Sequence, residues 1–264
     1  MKKTVLFFIL FFALTSNLTL PIQAQAVRHQ WYCKHVKEHV QPSLDKRLAF
    51  IEDYDAYYID RCHTDANADD KVIYLTFDAG YENGNVEKTL NILRDENVPA
   101  AFFVLQNLIV KNTDIIKRMT DEGHLVCNHT AHHKNMSDWD DSAVLEELEL
   151  LEKCYYEQTG NKMSKYYRPP EGAFSRENLD CISKNGYKTI FWSFAYPDWD
   201  NNKQPSKEYA IKKVLDNMHN GAVLLLHPTS ATNAAILGTI IDEMRNNGYE
   251  IGTLEELKKE LSQN

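Results

Sequence analysis

The chain is short of the residues that interrupt or staple a fold. Ten glycines and eight prolines among 264 residues exclude collagen-like and low-complexity classes. No CxxC pair occurs, which removes the usual thiolate zinc site. The five cysteines (Cys33, Cys62, Cys127, Cys154 and Cys181) are an odd number, so at least one stays outside any disulfide of a monomer. Cys33 and Cys62 can pair with each other or serve as small buried hydrophobes. Positive charge is also scarce: 29 Lys and Arg against 38 Asp and Glu give a net charge of −9. Sequence-independent binding to a nucleic-acid backbone needs a basic surface, so nucleic acid is not expected as a partner. One long apolar run exists, Val5 to Leu14, too short for about 30 Å of hydrocarbon unless Leu18 to Ile22 joins it. With Lys2 and Lys3 before it and Ala24-Gln25-Ala26 after it, residues 1–26 read as a secretory signal peptide, with an uncleaved anchor as the alternative. Either way, the rest of the chain is expected to be secreted or extracytoplasmic.

What remains is a globular composition, 43% hydrophobic and 25% charged, long enough for one substantial α/β domain. From Lys71 onward a β-branched or aromatic run, a polar loop and an amphipathic stretch follow one another repeatedly. Strands are expected at Val72–Phe77, Ala100–Val104, Leu125–Asn128, Tyr166–Arg168, Lys188–Phe194, Ala222–His227 and Tyr249–Gly252. Helices are expected at Val86–Glu96, Thr113–Glu122, Ser142–Thr159, Ser175–Asn185, Ser206–Asn217, Asn233–Asn246 and Leu254–Leu261, with Gly123, Gly160, Gly186 and Gly248 as stops. Strict βα alternation and apolar runs such as Ala222–Leu226 predict a parallel sheet buried on both faces. The expected fold is an incomplete (β/α) barrel, with residues 27–70 as an N-terminal extension packed on a domain spanning 71–264.

In such barrels the loops at the C-terminal ends of the strands build the active site. Those positions carry Thr76-Phe77-Asp78-Ala79-Gly80-Tyr81, His129-Thr130-Ala131-His132-His133, Arg168-Pro169-Pro170-Glu171-Gly172, Asp198-Trp199 and His227. Each has a plain alternative. Asp78 suits a turn, His227 a buried structural role, and Arg168 a surface ion pair, while HxxxH recurs by chance. Five strands placing ionisable groups at one rim is harder to assign to unrelated causes. His129 and His133, spaced i and i+4, fit one helical face as a pair of metal ligands. With no Ser in a nucleophile elbow, the inventory favours attack by an activated water. Asp78 takes its proton, held ionised by Arg168, and His227 protonates a leaving amine, kept as imidazolium by Asp198. Amide hydrolysis fits these roles.

The motifs TFDAG, HTAHH, RPPEGAF, DW and LLLH resemble those of the polysaccharide deacetylases, the NodB-homology or carbohydrate esterase 4 family, over about residues 71–261. The resemblance implies a (β/α)7 barrel that removes acetyl groups from N-acetylated sugars. It assigns Asp78 as base, Arg168 as its partner, His227 as acid, Asp198 as its tuner, and His129 and His133 as metal ligands. It adds Trp199 and Leu225 as walls of the acetyl pocket and the Tyr81 N–H as an oxyanion donor. The family's usual third ligand, a second Asp in the first motif, is replaced here by Ala79, so a divalent metal, zinc by this reading, is expected to be held weakly. The stretch Tyr74–Gly84, with Gln41-Pro42-Ser43 and the Tyr54 to Tyr58 region, is similar to the branch that deacetylates peptide-stripped N-acetylmuramic acid on the way to the muramic δ-lactam of spore cortex. Peptidoglycan glycan strands are then the expected partner. A peptidoglycan or chitin N-acetylglucosamine deacetylase and a catalytically silent glycan-binding barrel are the alternatives.

Overall fold

The computed structural model describes residues 27–64 and 70–257. The signal-like segment 1–26 and the second half of the helix expected at Leu254–Leu261 lie outside the described residues. The first strand, β1 (His29–Gln30), and a 3₁₀ helix (Lys46–Asp53) precede β2 (Ala56–Tyr57). The repeating region then runs β3 (Lys71–Ala79), α1 (Val86–Asp95), β4 (Ala101–Val104), α2 (Gln106–Lys111), α3 (Thr113–Asp121), β5 (Leu125–Asn128) and α4 (Asp141–Thr159). It continues through β6 (Tyr166–Tyr167), β7 (Ala173–Phe174), α5 (Arg176–Lys184), β8 (Lys188–Ile190), α6 (Lys207–Leu215), β9 (Ala222–Leu226), α7 (Ala231–Asn246) and β10 (Tyr249–Gly252).

A curled parallel sheet runs β10-β3-β4-β5-β6-β8-β2, with β9 also on β3. A bridge from Phe194 to Leu224 brings the chain after β8 to β9 and nearly closes the curl. The expected incomplete barrel is therefore present, and its helices stop where the glycines predicted: Gly160 and Gly186 have φ of 75° and 79°, a region that favours glycine. Two expectations are corrected, and the choice left open for Cys33 and Cys62 is settled. The described part of the last expected helix, Leu254–Leu257, is a turn. The extension adds a parallel strand, β2 on β8, while β1 pairs antiparallel with β7. All five cysteines are free, Cys33 and Cys62 included. No helix among the described residues is long and apolar enough to cross a membrane.

The strand pleat divides the core. On β3, Ile73, Leu75, Phe77 and Ala79 join the cluster shared with helix residues such as Val86, Leu90 and Leu93. Val72 and Tyr74 face the barrel interior with Ala101, Phe103, Cys127, Ile190 and Val223. Continuing that inner face upward gives Thr76 and Asp78 on β3, and Leu225 and His227 at the end of β9. The apolar interior thus turns polar at the C-terminal rim, and the site sits there.

One buried group outside the site shapes the response to acid. His124 sits between α3 and β5, edge-on to Phe102 at 5.5 Å, and neither ring nitrogen has a hydrogen-bond partner. Burial pushes its pKa down to about 4 despite the nearby Glu122. Because the folded value lies below the unfolded one, stability is full above about pH 6.5 and falls as pH drops toward 4, by at most about 3 kcal/mol. His124→Leu should remove that loss. Urea unfolding at pH 7 and pH 4.5 is expected to show the variant's advantage growing at the lower pH.

Candidate active site

Arg168 follows β6 and is fully buried, with its guanidinium over the Phe103 ring at 4.1 Å. A buried cation must spend its donors. Nε donates to the Ile190 carbonyl at 3.0 Å, and Nη2 to Thr76 Oγ1 at 2.8 Å and the Phe191 carbonyl at 3.3 Å. Nη1 donates to Asp78 Oδ1 at 2.8 Å. Burial alone would raise the Asp78 pKa, but His129, Arg168 and His227 outweigh it and hold the carboxyl below its ordinary range.

The HTAHH segment is a loop, which corrects the expectation of a helical face for His129 and His133. Thr130 and His133 take φ of 70° and 55°, left-handed values that fold the loop back on itself. Asn128 Oδ1 accepts from Thr130 N, and Thr130 Oγ1 from His133 N, each at 2.9 Å. The two imidazoles meet edge to face, with centroids 4.9 Å apart. His129 Nδ1 donates to the Arg168 carbonyl at 2.9 Å. That bond leaves the Nε2 lone pair directed at the site, 3.4 Å from Asp78 Oδ2. Burial pushes the His129 pKa down to about 4, so the ring is neutral, the form that binds metals. A third ligand is missing: Ala79 is buried in the outer core beside Ala131, and no group of three His, Cys, Asp or Glu able to hold a metal occurs among the described residues. With two imidazoles and no third donor among the described residues, the set fits at most an open two-ligand site.

Opposite Asp78, His227 is gripped twice by fully buried Asp198. Oδ1 accepts from the ring Nδ1 at 2.7 Å, and Oδ2 from the backbone N–H at 2.8 Å. Burial opposes the charge on His227, but the hydrogen bond and charge of Asp198, helped by Asp78, raise its pKa above the ordinary value. Tyr81 and Trp199 are exposed, by 43% and 63%, while Leu225 is buried. Asn201 donates from Nδ2 to the Tyr81 hydroxyl, tying the loop after β8 to the loop after β3.

Sequence reasoning missed Thr76, Asn233, Tyr196 and Gln204, the last donating from Nε2 to the Asp198 carbonyl at 2.8 Å. Thr76 lay two residues before Asp78 on the same strand face, so the period of two would have found it. Asn233 was read as the start of a helix whose true N-cap is Ser230. The extension also reaches the site. Trp31 N donates to the Gly172 carbonyl at 2.7 Å and Gln30 Nε2 to the Glu171 carbonyl, securing a turn in which Glu171 has φ of 59°.

This arrangement pairs a carboxylate whose pKa is lowered with an imidazole whose pKa is raised, which suits water-mediated cleavage of an amide. Comparison with known proteins agrees. The family model for polysaccharide deacetylase matches residues 65–190. The peptidoglycan-N-acetylmuramic acid deacetylase PdaA of Bacillus subtilis (strain 168) is 37% identical over 239 residues, 89% of each chain. The solved structure of Bacillus subtilis PdaA, described as a family 4 carbohydrate esterase, matches with a TM-score of 0.81 at 37% identity, over 87% of this chain and 96% of that one. The peptidoglycan-N-acetylglucosamine deacetylase PgdA of Listeria monocytogenes serotype 1/2a (strain 10403S) is 33% identical over 193 residues, 73% of this chain and 40% of that protein.

Proposed function

The chain belongs to the polysaccharide deacetylases of carbohydrate esterase family 4, and from that membership we propose that it deacetylates N-acetylmuramic acid in peptide-stripped peptidoglycan. It is a hydrolase of amide bonds and a peptidoglycan N-deacetylase. We also infer the onward route to the muramic δ-lactam of spore cortex and an extracytoplasmic location. The observation that carries the chemistry is the two ion pairs: Asp78 with Arg168, which lowers the carboxyl pKa, and His227 with Asp198, which raises the imidazole pKa.

In this reading Asp78 accepts the proton of the attacking water and His227 donates one to the departing sugar nitrogen. The free Tyr81 N–H helps hold the oxygen that gains charge, and Leu225 and Trp199 wall the acetyl methyl. Arg168 and Asp198 position base and acid. A silent glycan-binding barrel has no use for two such matched pairs.

For the muramic reading, the feature in its favour lies along the HTAHH loop. A groove of about 500 Å³ runs between α2 and the HTAHH loop, lined by Leu105, Val110 and Ala131 with Lys111 and Lys134. Neither lysine makes an ion pair with the described residues. On a chain of net charge −9, these are local donors for the lactyl carboxylate, which N-acetylglucosamine lacks.

The family resemblance implies a divalent metal. Here His129 and His133 would hold the ion, whose general role is to polarise the amide oxygen and the attacking water. Their affinity is proposed to be weak because Ala79 supplies no oxygen. Ala79→Asp should lower the melting temperature without zinc, by burying a carboxylate, and tighten zinc binding in calorimetry. Tight binding by the unaltered protein, unchanged by the added acid, would point to a ligand not recognised here.

Asp78→Asn and His227→Ala should each reduce acetate release from amidase-treated peptidoglycan by about 10²-fold or more with the fold intact. Near-full activity in either variant would overturn its assigned role. Lys111→Gln and Lys134→Gln should each raise KM on that glycan roughly three- to fivefold, while leaving KM on N-acetylglucosamine oligomers unchanged. Equal rates on stripped and intact peptidoglycan, or preferential release from glucosamine units, would favour the N-acetylglucosamine alternative.

A further inference from the structure

Asp198 is a fully buried carboxylate whose ion-pair partner among the described residues is His227 and no Lys or Arg. Such a group needs neutral hydrogen-bond donors to stay buried and ionised. The His227 backbone N–H supplies one of them. The other comes from Asn233, on the first turn of α7, whose Nδ2 donates to Asp198 Oδ2 and, at 3.1 Å, to the His227 carbonyl. The helix cap fixes the backbone of Asn233: Ser230 Oγ accepts from its N–H at 3.1 Å. Tyr196 donates its hydroxyl proton to Asn233 Oδ1. Burial raises the pKa of that phenol, so it remains a donor. The amide therefore has one workable orientation, because a flip would set its oxygen against both the Asp198 carboxylate and the His227 carbonyl.

We propose that Asn233 is a positioning residue for the acid arm of the reaction. It holds the Asp198 carboxylate in the orientation where its two oxygens grip the His227 ring and backbone together, and Tyr196 sets the amide that does so. The inference rests on the reading of His227 as proton donor. An amide suits this place better than a cation: Lys or Arg would neutralise Asp198 and spend the field that acts on the imidazole, whereas a neutral donor fixes the carboxylate and leaves its charge directed at Nδ1. The other charged groups facing His227 are Asp78 at the end of β3 and Arg168 after β6. Neither touches Asn233, so a change at Asn233 reaches the imidazole through Asp198.

The test uses the full chain with Asn233→Ala, the milder Tyr196→Phe, and His227→Ala as reference. It measures kcat and KM on amidase-treated peptidoglycan across pH, the ring titration of His227 by NMR, and melting temperature. Asn233→Ala should lower kcat about tenfold with KM within about twofold, and should move both the His227 titration and the basic limb of kcat to lower pH. Tyr196→Phe should act in the same direction and less strongly. A lowered melting temperature with the titration and the basic limb unmoved in both variants would reduce Asn233 to a structural role and overturn the proposal, as would an upward shift of the His227 titration. If His227→Ala stays active, the proton-donor reading fails by itself, while the NMR titration still reports whether Asn233 holds Asp198.

Discussion

The buried guanidinium of Arg168 is the constraint around which the rim of the barrel is arranged. Desolvating a cation is costly unless its donors are met, and here they are met by groups from different parts of the sheet: Asp78 and Thr76 on β3, and the carbonyls of Ile190 and Phe191 at the end of β8. The strands' upper ends must converge to supply those acceptors. The same residue's carbonyl accepts from His129, so one position orders both the carboxylate and the tautomer of the nearest imidazole. Phe103 beneath it seals the apolar interior from the polar rim.

The two arms of the site use one kind of acid in two environments. Asp78 has a true counter-ion, so its carboxylate is stabilised and stays ionised well into acid. Asp198 has neutral donors and one imidazole, so its charge is expressed on that imidazole and raises its pKa. The opposite shifts at Asp78 and His227 follow from which donors surround each carboxylate, with no difference in the side chain itself.

This division also explains what was legible in the sequence. Strands and helices could be read from their periods because burial on both faces makes apolar runs, and the candidate site residues could be listed because a parallel barrel presents its strand ends on one side. Local geometry was less legible. HxxxH fits a helix by spacing, and only the Asn128 and Thr130 side chains, which bond to the backbone and favour a left-handed turn, make it a loop. Asn233 looked like a helix start because Asn is a common cap; its contact with Asp198 spans 35 residues of chain, and periodicity carries no information on such pairs. The strands of the extension were hidden for a related reason, since β1 and β2 are two residues long and show no period.

The extension is where fold and site are most closely coupled. Arg168 is followed by two prolines and then by a turn in which Glu171, a non-glycine residue, is held at positive φ. Such a conformation persists only when its surroundings over-determine it. Those surroundings are largely the extension: Gln30 and Trp31 bond to the carbonyls of the turn, and Trp31 stacks on Phe191, whose carbonyl accepts from Arg168. A Cβ on Gly172 would lie 2.9 Å from Trp192 and 3.0 Å from Trp31, so the turn closes against those aromatics only with glycine there. Residues far from the chemistry thus fix the backbone on either side of the guanidinium, and the orientation of the base depends on a segment that shows no barrel pattern of its own.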